Sequence, residues 1–327
     1  MELVQTRRAR IVIIEQRFEF KSSFMKILDS IIELGTRRWA LGFVRGGMEA
    51  VMEGDHLEVD WVKMPKDRWF ADPFVLNVTN EEIQLLVEDY AYTTQKGIIS
   101  LLHINRGTME ISSRKELLEL STHLSFPAIW RKDGHIYVYP ESAKSGKLDL
   151  YEYDAEKEVL TFVKTICDDV IWDSYITDAF RESLLFTGAH TNNDYILDIY
   201  RWDSKINRFI HYDEVHSELK NSRLGGALFE YRGEMYYPAQ NCERVYGGAI
   251  DIKRIVESRE PKVDRFRVET VKHLESPHPT MKLGMHTLNE YKGVVVIDVH
   301  GYKYGWKGAM IAWLVAIKKK IKGFTSK

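Results

Sequence analysis

Asp72, Asp178 and His286 each stand at the opening of a short apolar segment, and Glu88, Glu141 and Gln240 each stand at the close of a neighbouring one. Carboxylates are the side chains of general acid–base work. Gathered in one enclosed site they repel each other, one pKa rises, and a proton donor arises beside a proton acceptor. That chemistry needs residues distant in the chain to meet. The question is what fold could bring them together.

The segments share one design. "FADPFVLNVTNEEIQLLVEDY" from Phe70, "SFPAIWRKDGHIYVYPES" from Ser125, "ITDAFRESLLFTGAH" from Ile176, "GGALFEYRGEMYYPAQNC" from Gly225 and "GMHTLNEYKGVVVIDVH" from Gly284 each read as a hairpin. A small or polar cluster leads into a short apolar strand, a Gly-, Asp-, Asn- or Glu-rich turn, and a return strand of β-branched or aromatic residues. Marked at Asp72, Pro127, Asp178, Gly226 and His286, the unit recurs at intervals of 48 to 60 residues. Further strand-like runs follow, "GIISLLHI", "KLDLYEYD", "ILDIYRWD" and "GAIDIKRI". Radial repetition of four-stranded sheets predicts an all-β, five-bladed β-propeller over residues 61–302. In that arrangement the five markers converge on one pocket. A β-sandwich does not require such a period.

Short helices are expected at both ends. Phe24–Gly35 has helical spacing and a terminal glycine. Residues 1–60 read as a strand and helix packed on the propeller, with either "RIVII" or "WALGFV" supplying a strand that closes the last blade. Residues 303–327 read as a tail, apolar first and basic last, ending in Lys318, Lys319, Lys320 and Lys322. Such a tail suits an anionic membrane surface or packing on the propeller.

Composition excludes several classes. The chain has 327 residues, 44% hydrophobic and 12% aromatic, with a formal net charge of −2. Nothing in that balance indicates nucleic acid. Cys167 and Cys242 form neither a disulfide framework nor a zinc pattern. The apolar run after Arg10 is cut short at Glu15, so no secretory signal is read and a cytoplasmic location is expected, with the tail at the inner face of the membrane. Walker, dinucleotide and HExxH motifs are missing. No cofactor is expected, although carboxylates approaching one axis suit a central-channel ion. His103, His123, His190 and His211 read as surface or turn residues.

"WFADPF" (Trp69–Phe74) and "ITDAF" (Ile176–Phe180) resemble the blade-one and blade-three motifs of five-bladed glycoside hydrolases of the arabinanase/β-xylosidase type. More specifically, "FADPF", "LSFPAIWRKDGHIYVYPES", "GGALFEYRGEMYYPAQNCERVYGGAI" and "HTLN" resemble the N-terminal domain of glucosamine inositolphosphorylceramide transferases and its bacterial relatives, over roughly Trp61 to His300. The resemblance implies Asp72 as general base and Asp178 as the carboxylate that tunes the acid. The hydrolases open their fourth-blade hairpin with an acidic Glu, where this chain reads Arg223-Leu224-Gly225-Gly226. Either Glu141 or Glu88 serves as the acid in its place, Glu141 being the one taken for glycoside chemistry, or the chemistry differs or is absent. Arg223 suits a phosphate or carboxylate on the ligand. Glu88, Gln240, Asn241, Tyr246 and His286 complete the expected substrate-binding set. The transferase activity belongs to a separate domain of the plant proteins and is not implied. Two readings follow: chemistry at a glycosidic bond of a glycan or glycolipid, or a non-catalytic module binding a glycan or sugar phosphate in cell-envelope biosynthesis.

Overall fold

The computed structural model describes residues 37–188, 195–258, 264–302 and residue 310. The expected helix at Phe24–Gly35, the "RIVII" strand, the basic tail and His190 lie outside them. The chain divides into two compact units, Trp39–His300 and the two ends, Met1–Arg38 with Gly301–Lys327. The first unit holds the fold.

Strands β1 (Arg37–Val44) and β2 (Val59–Trp61) come first, separated by helix α1 (Gly47–Glu53). Blade one is β3 (Arg68–Val78), β4 (Glu82–Ala91), β5 (Gly97–Asn105) and β6 (Ile111–Leu118). Blade two is β7 (Ser125–Lys132), β8 (His135–Glu141), β9 (Leu148–Asp154) and β10 (Val159–Cys167). Blade three is β11 (Trp172–Thr177), β12 (Leu184–Gly188), β13 (Ile196–Asp203) and β14 (Arg208–His216). Blade four is β15 (Phe229–Tyr231), β16 (Glu234–Asn241), β17 (Ala249–Glu257) and β18 (Phe266–Leu274). Blade five pairs β19 (Gly284–Tyr291) and β20 (Val294–Tyr302) with β1 and β2, in the order β19-β20-β1-β2. The protein is a five-bladed β-propeller. "WALGFV", within β1, is the strand that adds to the last blade.

Local chemistry makes these hairpins. In blades two, four and five the first two strands are joined by two residues, Asp133-Gly134, Arg232-Gly233 and Lys292-Gly293, all at positive φ. That is the type I′ geometry whose twist matches paired strands, and glycine takes its second position without strain. Blade three has no such turn; residues 178–183 connect β11 to β12.

The core lies between blades. One apolar cluster runs through blades one to four, with Phe74, Phe126, Tyr139, Phe186 and Phe266 among its members. A second joins blades four and five through Phe229, Ile250, Leu288 and Ile297, and a third joins blades five and one through Leu41, Phe70, Leu85 and Val296. Each fully buried side chain of this size contributes about 1.5–3 kcal/mol.

Candidate functional site

Four of the five inner strands are broken at a corresponding point. The ladder slips between Ala71 and Phe74, between Ser125 and Ala128, between Trp172 and Ser174, and between Met285 and Thr287. Asp72, Phe126, Asp173 and His286 sit in these slips, the first three at φ +48, +43 and +26. An extra residue in a strand bends it and re-aims its side chain. In blade four Leu224 makes an isolated bridge to Ala239, ahead of a short β15. The partner strands end alongside: Ala71 faces Glu88, Ser125 faces Glu141, Trp172 faces Gly188, and the Gln240 N–H donates to the Arg223 carbonyl. Breaks in separate blades thereby bring a set of charged residues within reach of one another.

On one side lies a buried Asp–His–Asp group. Asp72 is 1% exposed. Its Oδ2 accepts from the Phe126 N–H at 3.0 Å, and its Oδ1 lies 3.1 Å from His286 Nδ1. The same nitrogen lies 3.4 Å from Asp298 Oδ2, which accepts the Asp72 N–H at 2.9 Å. His286 Nε2 meets the Tyr246 hydroxyl at 3.0 Å. Burial works against a charge on His286, but Tyr246, Asp298 and Asp72 outweigh it and hold its pKa well above the ordinary value. Burial raises the pKa of Asp72, and His286 draws it back. Asp72, His286 and Asp298 present ligating atoms within 4.8 Å of one another, so an axial cation would meet these three. The imidazolium offsets one of the two carboxylate charges, and a metal would replace its Nδ1 proton.

On the other side Glu141, Asp173, Arg223 and Gln240 form a second group. The Asp173 N–H donates to Glu141 Oε2 at 2.9 Å, and Arg223 Nη2 lies 3.7 Å from the same oxygen. Arg223 Nε and Gln240 Nε2 both donate to Asp173 Oδ2, the latter at 2.8 Å. Gln240 also donates to the Leu224 carbonyl at 2.8 Å. Two neighbouring carboxyls divide their roles here. Burial, then repulsion by Asp173, lifts Glu141 well above the carboxylate range. Burial penalises Asp173 as well, yet Arg223 and the Glu141 hydrogen bond overcome it and Asp173 falls below its ordinary value. One carboxyl of the pair is pushed towards its acid form and its neighbour towards the carboxylate. Gly188 makes room: a Cβ there would stand 3.2–3.3 Å from Arg223 Cα, Cβ and Cγ.

Aromatic rings surround both groups. Trp69 stacks on Tyr90 at 4.5 Å, and Trp39 packs 5.5 Å from Trp69 and 4.9 Å from His286. Arg223 lies 5.3 Å from the ring centres of both Trp172 and Tyr246. The Trp172 indole N–H is buried without a partner. Beside Tyr90, Glu88 Oε1 lies 3.1 Å from His123 Nε2, and the Gly97 N–H donates to His123 Nδ1 at 2.9 Å. Burial pushes Glu88 up to about 7, against the pull of His123. The Glu88 hydrogen bond raises His123 in turn.

Of the residues singled out in the sequence, Asp72, Glu88, Glu141, Arg223, Gln240, Tyr246 and His286 belong to this site. Two do not. Asp178 lies past the end of β11; its side chain is 45% exposed and accepts from Trp130 Nε1 at 3.2 Å and from Ser183. The aspartate of blade three at the break is Asp173, five residues earlier on the opposite end of β11. The hairpin period marks blade three at Asp178 in "ITDAF", whereas the strand is "WDSYIT". Asn241 turns away and donates to Asp251 Oδ2 at 2.9 Å, beside a separate cavity of about 230 Å³ that also includes Arg244, His273 and Lys282. Asp72 is in place, but it is closed to solvent, with Oδ2 taken by the Phe126 N–H. Asp173, Asp298, Trp172 and His123 were missed. His123 was read as a surface or turn residue, and nothing in the sequence marks it, because it stands in the connection between β6 and β7.

Residues 60–282 match the family model described as glucosamine inositolphosphorylceramide transferase 1, N-terminal. The chain belongs to that family. Among curated members of the glucosamine inositolphosphorylceramide transferase 1 group, the protein of Oryza sativa subsp. japonica is 26% identical over 197 residues, covering 57% of this chain and 26% of the relative. That of Arabidopsis thaliana is 28% identical over 197 residues, covering 57% and 25%. The chain thus spans about a quarter of the length of these relatives. Among solved structures, a GH43_1 enzyme from Xanthomonas citri has a TM-score of 0.48 at 9% identity, covering 71% of this chain and 87% of that one. RS223-Beta-xylosidase has a TM-score of 0.47 at 11% identity, covering 71% and 92%. No site residue is carried over from either.

Proposed function

We propose that this propeller binds a saccharide in the aromatic-rimmed site between its blades and acts on a glycosidic bond. The observation that carries the reading is the geometry of the Glu141–Asp173 pair, two buried carboxyls joined through the Asp173 N–H and Arg223, with Glu141 pushed towards its acid form and Asp173 held towards the carboxylate. Glycoside chemistry needs a proton donor to the leaving oxygen and a second carboxylate. Glu141 is the donor, Asp173 tunes it, and Glu88, with its pKa near 7, is the carboxylate able to accept a proton near neutrality. Asp72 holds His286 and the backbone of blade two in place behind them.

Arg223 defines the ligand further. A cation flanked by Trp172 and Tyr246 suits a sugar that carries phosphate. The curated relatives are named for an amino sugar and an inositol phosphate lipid, which fits a glycolipid or lipid-linked sugar. Their transferase activity is not assigned to this quarter-length match. The basic tail, with Lys318, Lys319, Lys320 and Lys322, supports work at the cytoplasmic face of an anionic membrane. A second reading, a binding module without turnover, is favoured by the closure of Asp72 to solvent.

The test uses unactivated oligosaccharides and glycolipid head-group glycans, with products followed by chromatography and binding by calorimetry. Cleavage of at least one by the wild type is expected. Glu141→Gln should lower that rate by about 100-fold or more while leaving affinity within a few-fold. Binding without any product from the wild type would establish the module instead. Absence of both would end the carbohydrate reading.

A further inference from the structure

Blade three carries a second set of ligating side chains on its two outer strands, apart from the pocket. Asp198 lies on β13, and His211, Glu214 and His216 lie on β14. Across the ladder Asp198 faces Glu214 and Tyr200 faces His211, leaving Tyr212 as an extra residue. Without it His211 and Glu214, three apart, would point to opposite faces of the sheet. With it they share the face of Asp198. The bulge is pinned: Arg201 lies 4.4 Å from the centre of the Tyr212 ring, and Arg265 donates to its hydroxyl at 3.3 Å.

The spacing is that of a metal site. His211 Nε2 stands 3.1 Å from Asp198 Oδ1, and His216 Nε2 stands 3.0 Å from Glu214 Oε1. Ligating atoms of Asp198, His211 and Glu214 all lie within 4.8 Å of one another; His216 falls outside that set and would complete the site by turning its exposed side chain inward. In a tetrahedral zinc site with bonds of about 2.0–2.1 Å, neighbouring ligand atoms stand roughly 3.3 Å apart. Both close pairs are near that value before any ion enters. Asp198 is 5% exposed, so its carboxylate is largely stripped of water. The His211 ring is held perpendicular to Tyr200, 88° at 5.3 Å, which fixes its direction. The other three side chains are open enough for an ion to reach them.

We propose that Asp198, His211, Glu214 and His216 bind one divalent transition metal of the zinc class, clipping the edge strand β14 to β13. Two imidazoles with two carboxylates suit zinc or copper and serve magnesium or calcium poorly. Binding displaces any proton shared within each His–carboxylate pair, so affinity falls as pH drops. The site is independent of the saccharide reading.

The whole chain, stripped with a chelator, is titrated with zinc chloride by calorimetry at pH 7.5 and pH 5.5, with calcium and magnesium chloride in parallel. One zinc per chain is expected, weaker at pH 5.5, with a raised melting temperature and no comparable effect of calcium or magnesium. His211→Ala and His216→Ala should each weaken zinc binding by about 10-fold or more. Glu214→Gln, at an exposed position, repeats the test without disturbing the His211–Tyr200 packing. The proposal is overturned if no zinc binds, if calcium binds equally well, or if the folded His211→Ala, His216→Ala and Glu214→Gln variants all keep wild-type zinc affinity.

Discussion

Asp173 and Asp178 are the same residue type five positions apart, and only one of them lies in the candidate site. Asp173 is buried where a strand breaks and is neutralised by Arg223, whereas Asp178 sits in water at the far end of the strand. A side chain's chemistry is set by the partners its backbone position gives it. Glu88 makes the same point. Its pKa is raised from 4.5 to about 7 by burial, so its contribution to stability is complete below about 4.5 and is lost as pH rises through 7. Urea unfolding from pH 5 to 8 should show wild-type stability falling by up to about 3 kcal/mol from this source. In Glu88→Gln the slope should flatten; an unchanged slope would place the pH dependence elsewhere. Most of the site was legible because Glu88, Glu141, Gln240 and His286 stand where apolar alternation begins or ends. Asp173 and His123 were not. A bulge adds a residue without a sequence signature, and a loop histidine gains its meaning only from the strand end it meets.

The hairpins were read from turn chemistry, and where that chemistry is regular the reading is good. Asp133-Gly134 and Lys292-Gly293 each join two strands at the expected place. Blade three, with the longer link at residues 178–183, is where the register slipped. At Gly233, φ is +81° and no atom lies within 4 Å of where a Cβ would stand. Gly233→Ala therefore isolates the backbone penalty from any clash. It should cost about 1–2 kcal/mol, read as a lower urea midpoint at an unchanged m-value. An unaltered midpoint would show that this turn does not hold its left-handed geometry in solution. The outer strands were legible only as repeats of an alternating pattern, and the pairing of His211 with Asp198 needed the Tyr212 bulge.

At the scale of the molecule, the period of the repeat was legible but its closure was not. Both "RIVII" and "WALGFV" have strand composition, and the choice rests on which can seal a seam. Leu41 of β1 is fully buried among Phe70, Leu85 and Val296, joining blade five to blade one. Leu41→Ala should cost about 2–5 kcal/mol, and a sealed ring predicts that it moves one cooperative transition of the whole Trp39–His300 unit. A separate early transition, seen by calorimetry, would mean that the fifth blade melts by itself. The sealing strand also sets a timetable. β1 is synthesised roughly 250 residues before the β20 it pairs with. At about 5–20 residues per second, its hydrogen-bonding edge waits some 10–50 s on the ribosome for its mate. During translation, the growing polypeptide carries a sticky ribbon until β20 emerges, and its yield in cells will depend on how well chaperones shield that ribbon.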